Sequence, residues 1–154
     1  MTYHEDPSYR APTSFVTFKL ARLQSQLNAQ AMALLKSKSD LTLVEWRLIQ
    51  VLRMFENASL TEIAEHVQMD KGQISRKITT MVRKGLLRVE RDKQDQRVQH
   101  LQLTQAAEAL SRRIMPTMQT RQRLLLADVS AADLQIFYEV VDKLEAAAQV
   151  REIE

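Results

Sequence analysis

Residues 59–104 read SLTEIAEHVQMDKGQISRKITTMVRKGLLRVERDKQDQRVQHLQLT, and the changes of period within this run decide the fold. Ser59-Leu60-Thr61-Glu62, followed by Ile63, Ala64 and Val67 at helical spacing, predicts a short helix. Gln68-Met69-Asp70 then makes a tight turn, and the Asp70 carboxylate is suited to accept from the free amides of a following first helical turn. In the helix that follows, projection at about 100° per residue gathers Ile74, Ile78, Met81 and Val82 within roughly one third of the circle. Gly85 ends it, because glycine takes the left-handed conformation just past a helix without steric cost. Arg83 and Lys84 in the last turn suit the negative end of the helix dipole. Beyond Gly85 the period falls to two. Leu87 and Val89 alternate with Arg88 and Glu90, and later Leu101 and Leu103 with His100 and Gln102. Two strands bracketing the polar loop 92–96 predict a hairpin with a charged tip. Helix, tight turn, helix and hairpin make a helix-turn-helix with a wing.

Working outward, Thr42 and Glu45 have capping-box spacing before a helix whose inward face is Val44, Leu48, Val51, Leu52 and Phe55, broken by Glu56-Asn57-Ala58. Ahead of it, Thr13-Ser14 behind Pro12 predicts an N-cap. Phe15, Phe18, Leu23, Leu27, Ala31, Leu34 and Leu35 then mark one long helix ending near Lys38-Ser39-Asp40. Its face is too apolar to stand alone. Downstream, Ala107, Leu110, Ile114, Met115, Met118 and Leu124 to Leu126 mark a further helix, which Pro116 should kink or break. A last helix capped by Ser130 carries Leu134, Phe137, Val140, Val141 and Leu144. Met32, Met54, Met81, Met115 and Met118 fall at core-like positions. The expected fold is mainly α: a winged helix-turn-helix over 41–104, helical segments over 13–40 and 105–154, and a polar tail over 1–12.

Composition removes whole classes of chemistry. The 154 residues include two glycines, Gly72 and Gly85, and neither a dinucleotide fingerprint nor a Walker A loop can be built from them. No cysteine means no disulfide, iron–sulfur cluster, Cys-ligated zinc or thiol switch. Met1 to Pro12 lacks an apolar signal core, and no run approaches the ~18 apolar residues of a membrane span. A soluble cytoplasmic protein with no membrane partner is therefore expected. Glu62 and His66 share a helical face, but no second such pair completes a metal site, so a surface contact is the simpler reading. No nucleophilic triad or paired carboxylates emerge, so neither enzymatic activity, metal nor cofactor is expected.

The net charge of +3 conceals an uneven layout. Residues 71–97 hold nine bases (Lys71, Arg76, Lys77, Arg83, Lys84, Arg88, Arg91, Lys93, Arg97) against three acids, a balance of +6, whereas residues 128–154 hold seven acids against two bases, a balance of −5. A segment so basic invites a polyanion. Opposite its apolar stripe, the helix before Gly85 shows Gln73, Arg76, Thr79, Thr80 and Arg83, joined by Lys71 and Ser75, and these residue types read base edges and phosphates. Gly72 removes a side chain where backbone would approach the duplex. Lys93 and Arg97 on the loop suit the minor groove, where an Arg meets concentrated negative potential, and Asp95 is spaced to hold the Arg97 guanidinium.

LTLVEWRLIQVL (41–52) together with the run quoted above resembles the MarR family of bacterial transcriptional regulators, with compatible helices on either side. The family's wing commonly shows D-x-x-D-R-R before a strand and Leu-Thr. Here Asp92-Lys93-Gln94-Asp95-Gln96-Arg97 precedes Leu103-Thr104, with Gln96 replacing the first Arg. The resemblance implies an obligate homodimer formed through 13–38 and 105–150. Two recognition helices would then meet a pseudo-palindromic double-stranded operator, with half-sites roughly 34–36 Å apart. It also implies repression relieved by a small-molecule effector, often an aromatic acid, bound between the dimer helices and the winged domain. Trp46 and Arg47 lie near that place, Arg47 suiting a carboxylate; packing of the Trp and an ion pair of the Arg with Glu45 or a neighbouring helix are the competing readings. A winged-helix adaptor that binds protein rather than DNA is the alternative function.

Overall fold

The elements follow the expected order in the computed structural model, which describes residues 12–56, 58–67, 69–95, 97 and 99–149. A short 3-10 turn, Pro12–Ser14, leads into α1 (Val16–Lys38), α2 (Leu43–Met54), α3 (Leu60–Val67) and α4 (Lys71–Arg83). β1 (Leu87–Arg91) and β2 (Gln99–Leu103) come next, then α5 (Gln105–Leu125) and α6 (Ala131–Ala148). Most of the expected tail, Asn57 of the helix break, Gln68 of the turn and Gln96 of the wing lie outside the described residues. This is a winged helix-turn-helix with flanking helices, mainly α.

Local chemistry sets the element ends. Thr42 Oγ1 accepts the Glu45 N–H at 3.3 Å while Glu45 Oε2 accepts the Thr42 N–H at 2.9 Å, a complete capping box. Ser59 and Glu62 repeat the arrangement at the start of α3, and Ser130 caps α6 by accepting the Asp133 N–H at 3.0 Å. Each such cap contributes about 1 kcal/mol. Gly85 sits at φ 71°, as a glycine just past α4 should. Thr13 and Ser14, the expected cap, belong to the 3-10 turn, and the residue that precedes α1 is Phe15, which makes no side-chain cap. Nor does Pro116 break its helix. α5 runs through it, the ring costing the amide that would have reached residue 112 within a run of good helix formers.

The chain divides into two compact units, Met1–Pro116 and Thr117–Glu154. In the first, Leu35, Leu48, Ile49, Ile63, Ile74, Met81 and Ile114 are fully buried, each worth about 1.5–3 kcal/mol on burial. The strands pair antiparallel with Leu87 opposite Leu103 and Val89 opposite Leu101, and Ser59 bridges to His100 on the other side of β2. The hairpin is thereby fixed to the start of α3. Several expected core positions are exposed instead. Phe55 lies past the last turn of α2 and stacks on His66, with ring centroids 4.3 Å apart. Met54 ends α2 in solvent at 76% exposure, and Met32 sits on the side of α1 away from buried Ala31 and Leu35.

In the second unit α6 has no buried residue, although Ile136, Phe137, Tyr138 and Val140 all belong to it. In the first, Phe15, Val16, Phe18 and Leu23 of the α1 region are likewise exposed. Among the described residues no helix is long and apolar enough to cross a membrane.

Candidate nucleic-acid interface

α4 is oriented by its two faces. Ile74, Ile78 and Met81 are buried, while Lys71, Gly72, Gln73, Ser75, Arg76, Thr79 and Arg83 are exposed and Thr80 is half-buried. Val82, expected with the buried stripe, is 40% exposed at its edge. It borders an open groove of about 360 Å³ between α4 and the hairpin, together with Ser75, Thr79, Val89 and Gln99. The hydroxyls of Thr79 and Thr80 donate to the carbonyls of Ser75 and Arg76 at 3.0 and 3.1 Å, so only their lone pairs remain for an external donor. Asp70 caps the helix, its Oδ1 accepting the Gln73 N–H at 2.8 Å. A Cβ on Gly72 would lie 3.1 Å from that oxygen, which gives this glycine a local reason: it leaves room for the cap.

The wing is organised by Asp92 rather than by Asp95. Asp92 Oδ1 accepts the N–H groups of Gln94 and Asp95 at 2.7 and 2.9 Å, and Oδ2 lies 3.0 Å from His100 Nε2. The Asp95 N–H above all, then His100 and the Gln94 N–H, bring the Asp92 carboxyl down to about 2 from an ordinary 3.8. Asp95 was expected to hold the Arg97 guanidinium; its Oδ1 accepts the Arg97 backbone N–H instead, at 2.9 Å. A side chain two residues away reaches the turn amide more readily than the far end of an arginine. Lys93, Asp95 and Arg97 are all exposed.

This wing has a pH signature. A carboxyl with a depressed folded value adds stability that is fully present above its unfolded value and is lost as pH falls through the folded one. In a carboxyl carbon NMR titration, Asp92 should have a midpoint near 2, and His100→Ala should raise it. As pH falls from about 4, the stability difference between wild type and Asp92→Ala should shrink toward pH 2; a midpoint near 3.8 would sink this account of the wing.

Two further features were missed because they join residues distant in the chain. Glu45, 1% exposed, is held 3.0 Å from the Lys84 ammonium at the end of α4. Burial raises its carboxyl, but the Thr42 amide and Lys84 outweigh that and hold it below the usual range. Ser111, fully buried on α5, accepts from Gln50 Nε2 and Arg53 Nη1, both at 3.2 Å.

Beside these lies an open cavity of about 590 Å³ lined by Gln24, Asn28, Arg47, Gln50, Val51 and His66. Arg47 Nη2 donates to Asn28 Oδ1 at 2.9 Å and Gln24 Nε2 donates to the same oxygen at 2.8 Å. Arg47 thus has a neutral partner on α1, and Glu45, one of the competing partners for it, is engaged by Lys84. Trp46 is buried at 7% exposure in the core and does not line the cavity. Glu62 and His66 are used separately, the first in capping at Ser59 and the second in stacking on Phe55.

Residues 41–98 match the model of the MarR family. Over 141 residues the chain is 27% identical to an uncharacterized HTH-type transcriptional regulator of Bacillus anthracis, covering 91% of this chain and 93% of that protein. Among solved structures, the S. aureus MepR–DNA complex superposes with a TM-score of 0.82 at 15% identity, covering 90% of this chain and 99% of that one. BpsR of Bordetella bronchiseptica, whose DNA binding is regulated by 6-hydroxynicotinic acid, gives 0.80 at 19% identity, covering 89% and 97%. The structural likenesses carry the fold. Residues 41–98, whose α4, hairpin and caps are described above, thus carry the likeness to the MarR family.

Proposed function

We propose that the chain is a homodimeric, sequence-specific DNA-binding repressor released by a small aromatic acid. The observation that carries this is α4 itself: it buries Ile74, Ile78 and Met81 and leaves Gln73, Arg76 and Arg83 exposed beside a hairpin that carries Lys93 and Arg97. Gln and Arg at the start of such a helix suit adenine and guanine edges in the major groove, Lys71 and Ser75 suit phosphates, and Thr79 and Thr80 suit donor groups on neighbouring bases. Arg97, on a turn ordered by Asp92 and Asp95, suits the adjacent minor groove. The uncovered apolar residues of α1 and α6 support a second copy as partner.

The cavity beside Arg47 supports the effector. Its one guanidinium, its amides and the flanking Val51 and His66 fit a carboxylate on a ring, and its volume lies in the range of small-molecule sites. Trp46, buried and not among the lining residues, is then a core residue rather than a ligand contact.

Selection of duplexes from a random-sequence DNA pool tests the reading. An enriched two-half-site motif, bound far more tightly than its scrambled version and with steep weakening by salt, is expected; equal affinities would refute sequence-specific binding. For the effector, thermal shift with a panel of aromatic carboxylic acids should yield a ligand that, at about 100 times its Kd, adds roughly 2.7 kcal/mol. Arg47→Ala should abolish that shift while leaving operator affinity without ligand unchanged. A shift that survives Arg47→Ala would move the effector elsewhere.

A further inference from the structure

The geometry points to Lys84 as a positioning residue for DNA reading, a strut that sets α4 against the N-terminus of α2, and not as a phosphate contact. This rests on the proposal that α4 reads DNA. Lys84 is the C-cap residue of α4, and its N–H bonds the Thr80 carbonyl at 2.9 Å. Its ammonium turns away from the reading face, 3.0 Å from Glu45 Oε2 and 3.5 Å from the Asp40 carbonyl. Glu45 is buried, and the same Oε2 takes the Thr42 N–H at 2.9 Å, so the carboxylate cannot swing toward Lys84 without opening the α2 capping box. The acceptor is rigid, and the donor must come to it.

One residue on, a second tie fixes the same end of the helix. Thr104 Oγ1 donates to the Gly85 carbonyl at 2.7 Å, and the Thr104 N–H reaches Leu86 O at 3.1 Å. The end of α4 is therefore held from two sides, by α2 through charge and by the β2–α5 junction through hydrogen bonds. A small rotation about this end would carry Gln73 and Arg76, at the other end, across a base step. Of the nine bases in 71–97, Lys84 is consequently committed inward, and a buried carboxylate outside that segment neutralises it.

The two roles differ in what they do to non-specific binding. A phosphate contact supports all duplexes alike and adds about 0.9 to the salt slope, whereas a strut supports only the correct duplex. The experiment measures affinity and salt slope on a duplex selected by the wild-type protein from a random pool and on its scrambled version. Lys84→Met should lower the preference for the selected duplex about tenfold, the scale of losing one base contact, with scrambled affinity and salt slope unchanged. Lys84→Arg should retain the preference. Glu45→Gln removes the partner's charge and leaves Lys84 in place, so it should lower the preference in the same direction as Lys84→Met, and it serves if Lys84→Met does not fold. Two results overturn the strut. One is equal weakening on both duplexes with a shallower slope in Lys84→Met; the other is a Glu45→Gln protein that binds both duplexes as tightly as wild type or more so. If the wild-type protein itself shows no preference, the DNA-reading proposal fails first and the strut with it.

Discussion

Phe137→Arg is expected to leave the chain monomeric and to weaken its binding to a two-half-site operator by about 10²–10⁴-fold, the advantage that tethering two binding modules confers. α6 carries Ile136, Phe137, Tyr138 and Val140 yet buries none of them within its own chain. Phe137 is 45% exposed, so an arginine there disturbs no core of the single chain, and helix content by circular dichroism should be unchanged. In a two-fold seam the same residue occurs twice, so a single substitution places two desolvated charges of one sign near the axis. Sedimentation equilibrium reports the assembly state, and mobility shift on duplexes with one and two half-sites reports the coupling. Affinity for one half-site should be nearly that of wild type. A Phe137→Arg protein that remains dimeric would exclude this residue from the seam. A monomer that binds the two-half-site duplex as tightly as wild type would remove the need for a dimer in reading.

What could be read from the chain alone divides by the reach of the interaction involved. Thr42, Asp70, Ser130 and Gly85 act on amides or dihedrals within three residues, so their roles follow from local spacing, and all four are found in them. The hairpin's period of two was equally legible. Periodicity named the buried stripe of α4 but not its width, because Val82 sits at its edge, beside the open groove toward the hairpin. The polar ties escaped for a different reason. Glu45 and Lys84 lie 39 residues apart and Gln50 and Ser111 lie 61 apart, and nothing in a one-dimensional charge pattern brings either pair together. His100 and Asp92 are only eight apart, yet their contact depends on the strand register. Gly72 was read toward an external ligand, whereas the crowding at Asp70 supplies a nearer cause.

Arg76→Ala and Arg97→Ala should each weaken operator binding by about 1–3 kcal/mol, and in different ways. Arg76 stands on the exposed side of α4, nearly two turns past the Asp70 cap, where a guanidinium meets base edges in the major groove. Its loss should relax the preference at one base pair of each half-site while the rest of the motif stands. Arg97 sits on the wing with its backbone held by Asp95, so its side chain extends from an ordered base. Its loss should weaken binding to A·T-rich flanks most, since a narrow minor groove concentrates the potential that attracts it, and should leave the major-groove motif intact. Both side chains are exposed, so unfolding free energies should stay within about 0.5 kcal/mol of wild type and the affinity changes are not stability effects in disguise. The two residues lie on separate elements and address separate grooves, so the double variant should lose the sum of the single losses to within about 0.5 kcal/mol. Selection from the random pool, repeated with each variant, reads base preference directly. Unchanged motifs and affinities in both would mean that the exposed face of α4 and the wing do not read DNA, and a protein-binding role for the winged domain would then become the better account.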